Sequence, residues 1–207
     1  MRRQSRHILM VGADKRRLRP VFVVTGPSGA GKGTLIERVL PRFPDLAVAV
    51  SATTRPQRPG EQDGVHYYFL TRAEFDRRIE GHEFLEWVDY VGNRYGTLLS
   101  EIDRLREAGK APLLELETEG ALRVKRRVAG AVTVFVTAPV EELERRLRER
   151  ATESTGEIGG RIETARRQLA EQGEFDYVVE NDDRDRAASR LAAIVERELA
   201  AATMASR

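Results

Sequence analysis

Residues 21–40 constrain this chain more than any other stretch. An apolar run, Val21-Phe22-Val23-Val24, leads into Gly26-Pro27-Ser28-Gly29-Ala30-Gly31-Lys32-Gly33-Thr34, and the helical pattern Leu35-Ile36-Glu37-Arg38-Val39-Leu40 follows. A buried strand, a glycine loop and a helix start, in that order, are the context of a phosphate-cradling P-loop. The glycines let the backbone turn its N–H groups inward onto an anion. The helix N-terminus adds a partial positive charge, and Lys32 adds a full one. The Ser or Thr that usually follows the lysine is absent: Gly33 stands there, and Thr34 comes one place later. A nucleoside triphosphate, or at least a phosphoryl group, is the expected ligand. The competing reading is a glycine-rich strand-to-helix turn with a solvated lysine.

Around this loop, strand and helix patterns alternate. Strands are expected at Val21–Val24, Ala47–Val50, Leu113–Leu116, Val132–Val136 and Tyr177–Val179. Helices are expected after Thr34, over Leu98–Ala108, after Thr118, from Glu141, from Ile158 to Gln172 and from about Asp185 onward. Such alternation predicts an α/β fold, a parallel sheet with helices on both faces and ligands at the carboxyl ends of its strands. The segment Ser51–Thr97 breaks the rhythm, with short strand-like runs at Val65–Leu70 and Glu83–Tyr90 flanking a helix that Thr71 and Glu74 cap. It is expected to be a small mixed insert. The irregular run 150–160 reads as a mobile lid. The division is then a basic flexible extension (1–18), a core (19–50, 98–149 and 161–207), the insert (51–97) and the lid (150–160).

Composition narrows the partners. Thirty-five Lys and Arg nearly cancel 33 Asp and Glu, leaving a net charge of +2 and no global field that favours nucleic acid. No apolar run approaches a membrane span. The absence of cysteine excludes disulfides and thiolate metal sites and suits a cytoplasmic setting. Residues 1–19 are rich in Arg and Lys but lack the apolar centre of a secretory signal. Neither a membrane nor a nucleic acid is an expected partner.

Beyond the loop, Arg55 and Arg58 lie among the hydroxyls of Ser51, Thr53 and Thr54, in a turn that suits a second phosphate. The plainer reading is an exposed turn fixed by prolines and glycine. Further on stand Tyr67, then Glu86 beside Trp87, then Asn93-Arg94-Tyr95-Gly96-Thr97. A buried carboxylate can accept two hydrogen bonds from adjacent N–H donors, which guanine presents and adenine does not. Taken singly, Glu86 also reads as a surface glutamate on a short strand, and Tyr67 or Tyr95 as core.

Together these motifs resemble guanylate kinase, a nucleoside monophosphate kinase of the P-loop class. The resemblance rests on Gly26–Thr34, Ser51-x-Thr53-Thr54-Arg55-x-x-Arg58-x-Gly60-Glu61, Phe84-Leu85-Glu86-Trp87 and Tyr95-Gly96. It extends to Arg150-x-Thr152-Glu153, Ile158-x-x-Arg161 and Asn181-Asp182-Asp183, so that it covers about residues 19–200. It implies ATP:GMP phosphotransfer with Mg2+. The loop Gly26–Thr34, with Lys32 on the β- and γ-phosphates, would hold ATP. Ser51, Glu86 and Thr97 would read guanine, while Arg55, Arg58, Tyr67 and Tyr95 would bind the GMP phosphate. Glu61, Glu115 and Glu117 also fall on the substrate side. Arg146, Arg150 and Arg161 would neutralise the transferring group, with Lys32, Arg58, Arg150 and Arg161 as the catalytic set. Asn181 and Asp182 would lie near adenine, and Thr34 and Glu117 near the metal, Glu117 through water. Two positions depart from the family pattern: Ala151 follows Arg150 where glycine is usual, and Glu117 stands where aspartate is usual. The alternatives are a guanylate-kinase-like binding module without catalysis and a sugar-phosphate kinase. Retention of Lys32 opposes the first, and Ser51, Glu86 and Tyr95 oppose the second.

Overall fold

Five parallel strands make the central sheet: β1 (Phe22–Thr25), β2 (Leu46–Val48), β7 (Ala111–Glu115), β8 (Val132–Thr137) and β9 (Tyr177–Glu180), in the spatial order β2-β7-β1-β8-β9. The computed structural model describes residues 19–149 and 155–205, without the side chains of 155–158. The extension 1–18, Arg150 and the first part of the expected lid lie outside the described residues. Strand β1 sits in the middle and is buried along its whole length. Successive side chains of a strand point to opposite faces, and this alternation builds two cores. Phe22 and Val24 pack with Leu35 of α1 (Lys32–Val39), Leu143 of α5 (Val140–Glu149) and Leu191 of α7 (Arg184–Ala205). Val21 and Val23 pack on the other face with Ile102 and Leu105 of α3 (Leu99–Glu107) and Val124 of α4 (Thr118–Arg127). The molecule is thus the expected α/β sandwich, and the carboxyl ends of β1 and β7 open toward the P-loop.

Residues 52–98 form a second, mixed sheet of order β4-β3-β6-β5. Its strands are β3 (Ala52–Thr53), β4 (Tyr68–Phe69), β5 (Phe84–Tyr90) and β6 (Asn93–Leu98). Strands β3 and β4 run parallel, whereas β6 is antiparallel to both β3 and β5. The β5–β6 hairpin turns at Val91 (φ 47°) and Gly92 (φ 75°), two positive-φ residues whose twist matches the flanking strands. Helix α2 (Arg72–Glu80) covers this sheet by burying Phe75, which stacks on Phe84 at 4.3 Å between ring centroids. Its capping box forms as expected: Thr71 accepts from the Glu74 N–H, and the Glu74 carboxylate accepts from the Thr71 N–H.

The structure corrects several boundaries. Strand β2 is Leu46–Val48: Ala49 makes the last hydrogen bond to β7, and Val50 turns its N–H away to Glu101 on the way to the second sheet. The run expected as a strand over 65–70 pairs only at Tyr68–Phe69, since Gln62–Tyr67 is folded into tight turns. Helix α6 spans Thr155–Ala170, starting earlier than Ile158 and stopping before Gln172. Strands β3 and β6 have no counterpart in the sequence reading.

Candidate active site

The P-loop is made by close approach. Gly26 has φ 135°, and a Cβ there would lie 2.0 Å from the Val136 carbonyl oxygen of β8. Gly31 caps α1 at φ 87°, and a Cβ there would lie 2.5 Å from Asn181 Nδ2. The loop can therefore press against β8 and Asn181, just past β9, only with glycine at both positions. Asn181, 2% exposed, donates through Nδ2 to the Ala30 carbonyl at 2.7 Å and bonds its own N–H to Thr137 O at 2.7 Å. It braces the loop from beneath. Asp182 is instead paired with Arg186 at 2.8 Å.

Three cations surround the loop. Lys32 Nζ donates to the carbonyls of Gly26 (2.7 Å) and Pro27 (3.3 Å). Burial lowers its pKa, against the pull of the Glu117 and Glu115 carboxylates. Arg146 reaches from α5 to donate to Gly29 O at 3.0 Å, its Nε held by Glu142 at 2.7 Å. Arg161 reaches from α6 to Ser28 Oγ at 3.1 Å. Side chains from three helices thus meet on one glycine-rich turn.

The acidic end of β7 faces the start of α1. A Cβ on Gly33 would lie 3.7 Å from Glu115 Oε2, an ordinary contact distance that places the carboxylate beside the first turn of the helix. The surrounding protein raises the Glu115 pKa, against Lys32, and the negative charge of Glu117 adds to the rise. Glu117 occupies the N-cap position of α4; its carbonyl accepts from the Ala121 N–H, its side chain makes no capping bond, and Gln168 Nε2 donates to the carboxylate at 3.3 Å. Thr34 is exposed on the first turn of α1.

Across from these groups lies a cavity of about 390 Å3 whose walls include Lys32, Glu115 and Glu117 on one side and Ser51, Tyr67, Glu86 and Tyr95 on the other. Glu86 is 2% exposed and accepts from Thr97 Oγ1 at 2.9 Å. A β-bulge between Phe84 and Glu86 sets Glu86 opposite Thr97, the kind of local kink that re-aims one side chain out of a strand's regular alternation. Burial raises the Glu86 pKa to about 7, against the hydrogen bonds from Thr97 and the charges of Arg123 and Arg127. Room for the carboxylate comes from α4, where a Cβ on Gly120 would lie 2.7 Å from Glu86 Oε2.

Arg55 is held by its own turn. Glu61 takes both arms of its guanidinium, at 2.8 and 3.0 Å, and the Arg58 N–H donates to the same carboxylate at 2.8 Å. These bonds draw the Glu61 pKa down to about 2. The Arg55 guanidinium lies over the rings of Tyr67 (5.3 Å) and Phe69 (5.7 Å), and Tyr95 meets Tyr67 edge-on at 6.1 Å. The Arg58 side chain is exposed on the same turn. Arg150 lies outside the described residues.

The structure therefore brings the P-loop, the acidic strand end and the aromatic–carboxylate wall around one space. Sequence reasoning missed Val48, Ala49, His66, Val88, Tyr90 and Leu116, which also line it. Of these, only His66 and Tyr90 carry functional groups that could have signalled a site. A larger open groove of about 600 Å3, lined by Leu169, Gln172, Val178 and Arg190 among others, holds none of the predicted residues.

Comparisons with known proteins point to one family. A family model described as guanylate kinase matches residues 17–198. Guanylate kinase from Synechococcus sp. (strain JA-3-3Ab) is 47% identical, aligned over 84% of this chain and 81% of that protein. Guanylate kinase from Rubrobacter xylanophilus is 48% identical, over 86% of this chain and 93% of the relative. Among solved structures, guanylate kinase from Anaplasma phagocytophilum superposes with a TM-score of 0.69 at 28% identity, covering 87% of this chain and 86% of that one.

Proposed function

We infer that this chain, which belongs to the guanylate kinase family, transfers the γ-phosphoryl group of ATP to GMP, giving ADP and GDP. The observation that carries the reading is Glu86: a buried carboxylate, oriented by Thr97, on the wall of a cavity that also contains Lys32 of the P-loop. A buried acceptor of this kind selects a base edge with two adjacent donors, because any other base leaves it unsatisfied.

In the transfer, a phosphate oxygen of GMP attacks the γ-phosphorus of ATP, and the bond to the ADP oxygen breaks. The protein's part is positioning and neutralisation of charge. We assign Ser51, Glu86 and Thr97 to guanine, and Arg55, Arg58, Tyr67 and Tyr95 to the GMP phosphate. Prior clamping of Arg55 by Glu61 lowers the ordering cost on binding. The backbone of Gly26–Thr34 and Lys32 take the β- and γ-phosphates. Arg146 and Arg161 already touch the loop, so they are poised to meet charge on the moving phosphoryl group, and we assign Arg150 the same task. We place Asn181 and Asp182 on the adenine side, Asn181 acting through the loop backbone that it braces. We further propose the core, insert and lid as the units that close on the two nucleotides.

The residues present fit a hydrated magnesium ion. Two carboxylates, Glu115 and Glu117, act electrostatically on Lys32, and the Thr34 hydroxyl lies on the adjoining helical turn. Mg2+ keeps several waters and binds mainly through substrate phosphates. Thr34, with Glu117 through water, would hold it, and the ion would supply further neutralisation of phosphate charge.

No helix among the described residues is long and apolar enough to cross a membrane. We place the reaction in the cytoplasm, a setting that suits a chain without cysteine.

The test is ADP release with GMP, AMP and ribose 5-phosphate as acceptors, with Lys32→Met as control. GMP should exceed AMP in kcat/KM by about 10⁴. The methionine variant should lose about 10²–10³ in kcat while remaining folded. Equal rates on GMP and AMP would overturn the assignment of guanine recognition, and unimpaired Lys32→Met would overturn that of the P-loop.

A further inference from the structure

The main chain crosses between the central sheet and the second sheet twice, and one buried side chain touches both crossings. At the first, Ala49 N donates to Leu113 O of β7 at 2.9 Å, so residue 49 still belongs to the central sheet. Two residues on, Ser51 O accepts from Tyr68 N of β4 at 2.9 Å, so residue 51 already belongs to the second. Val50, between them, donates its N–H to Glu101 Oε1 at 3.0 Å. The second crossing is the junction of β6 and α3 at Leu98–Leu99, and Glu101 lies in the first turn of that helix. Its other oxygen accepts from the Tyr68 hydroxyl at 3.0 Å. Arg104, one turn along α3, closes the arrangement with bonds to both carboxylate oxygens at 2.8 Å.

Glu101 is 2% exposed, and a carboxylate so buried is costly unless its lone pairs are taken up. Here four donors from three segments satisfy it. Burial alone would raise its pKa, but the bonds from Arg104, Val50 and Tyr68 outweigh that and hold it below the ordinary range. None of these groups lines the nucleotide cavity. Their chain neighbours do: Ser51 follows Val50, and Tyr67 precedes Tyr68.

We propose that Glu101 is a positioning residue for the acceptor nucleotide, a pin that fixes the second sheet against the core and so presents Ser51 and Tyr67 in register with the P-loop. The proposal rests on the reading of the cavity as a GMP site. Removing the pin frees both crossings, so the guanine and GMP-phosphate contacts must be re-ordered on each binding event. The P-loop is held separately by Asn181 and β8, and it does not feel the change. The effect therefore falls on GMP and spares ATP.

The experiment measures KM for each nucleotide, kcat and thermal stability in the full chain and in Tyr68→Phe, Glu101→Gln, Glu101→Ala and the Tyr68→Phe/Glu101→Ala double variant. Tyr68→Phe removes a single hydroxyl, so it reports even if Glu101→Ala fails to fold. The expected result is a rise in KM for GMP of about threefold in Tyr68→Phe and about tenfold in Glu101→Ala, an energetic change of about 1.4 kcal/mol for the latter. KM for ATP stays unchanged, and Glu101→Gln, which keeps an acceptor for Val50, recovers part of the loss. The double variant should be no worse than Glu101→Ala, because both changes break one network. A fall in melting temperature with both KM values unchanged, equal rises for both nucleotides, or fully multiplicative effects in the double variant would overturn the proposal. Absence of GMP phosphorylation in the unaltered chain would instead overturn the function on which it rests.

Discussion

At the scale of single residues, the site depends on where charge is buried. Glu86 must be ionised to accept two hydrogen bonds, yet burial raises its pKa from 4.5 to about 7. GMP binding should therefore weaken as pH falls through about 7, with KM rising by up to about tenfold per unit below it. Titration of the nucleotide's own phosphate would persist in Glu86→Gln, so an inflection near 7 present only in the unaltered protein identifies the carboxylate. A KM profile identical in the two proteins would refute the idea. The same shift affects stability. Between about 4.5 and 7 the folded state keeps a proton that the unfolded state releases, so this group makes stability fall as pH rises through that window. Relative to the unaltered protein, Glu86→Gln should gain on the order of 3 kcal/mol between pH 4 and pH 8 in denaturant titrations without nucleotide. Glu117 poses a different question. It makes no capping bond to α4, so its replacement tests electrostatics more than helix stability. Glu117→Gln should lose roughly 10² in kcat, the scale of one lost charge-stabilising group. Glu117→Asp should keep substantial activity, because a carboxylate acting through water tolerates a shift in reach. Wild-type turnover by Glu117→Gln across magnesium concentrations would remove its metal-linked role.

At the scale of elements, two glycines make opposite predictions from the same kind of crowding. A Cβ on Gly26 would meet the backbone of β8 at 2.0 Å, and backbone cannot step aside. Gly26→Ala should cost the fold itself, read as a large fall in melting temperature. A Cβ on Gly120 would meet the end of the Glu86 side chain at 2.7 Å. Alanine also favours the helix over glycine by about 1 kcal/mol, so Gly120→Ala should remain folded. It should push the carboxylate off Thr97, raising KM for GMP about tenfold or more and leaving KM for ATP alone. Equal use of GMP by this variant would show that the carboxylate has slack that the packing does not suggest. The elements also mark where sequence patterns stop being informative. Strand β6 reads Asn93-Arg94-Tyr95-Gly96-Thr97-Leu98, a run with little intrinsic strand preference. It is a strand because β3 and β5 flank it on both sides. Gly96 stands there because a Cβ would lie 2.7 Å from Glu86 O and 2.8 Å from Trp87 Cβ, a constraint set wholly by the partner strand.

At the scale of the whole molecule, the Lys32–Glu115 and Ser51–Glu86 walls of the cavity belong to the central and the second sheet with their helices, so on the proposed function each nucleotide should stabilise the protein on its own. A ligand at 100 times its Kd adds about 2.7 kcal/mol. GMP should raise the melting temperature of the unaltered protein and fail to do so in Glu86→Ala, while a non-hydrolysable ATP analogue should raise both. Loss of the ATP effect in Glu86→Ala would mean that the two ends are not independent. The same division explains what could be read in advance. The P-loop was legible because its physics is local: contiguous residues supply the turn, the donors and the lysine, and the flanking apolar runs place them at a strand end. The alternation of elements likewise determined a parallel sheet covered on both faces. The tertiary structure alone decided the burial of Glu86, the bulge that aims it, the space that Gly120 leaves for it, and the convergence of Val50, Tyr68 and Arg104 on Glu101. Desolvation and close approach arise between residues distant in the chain, and in this protein they bury a glutamate of a short strand in the cavity wall and another, on a helix, between the two sheets.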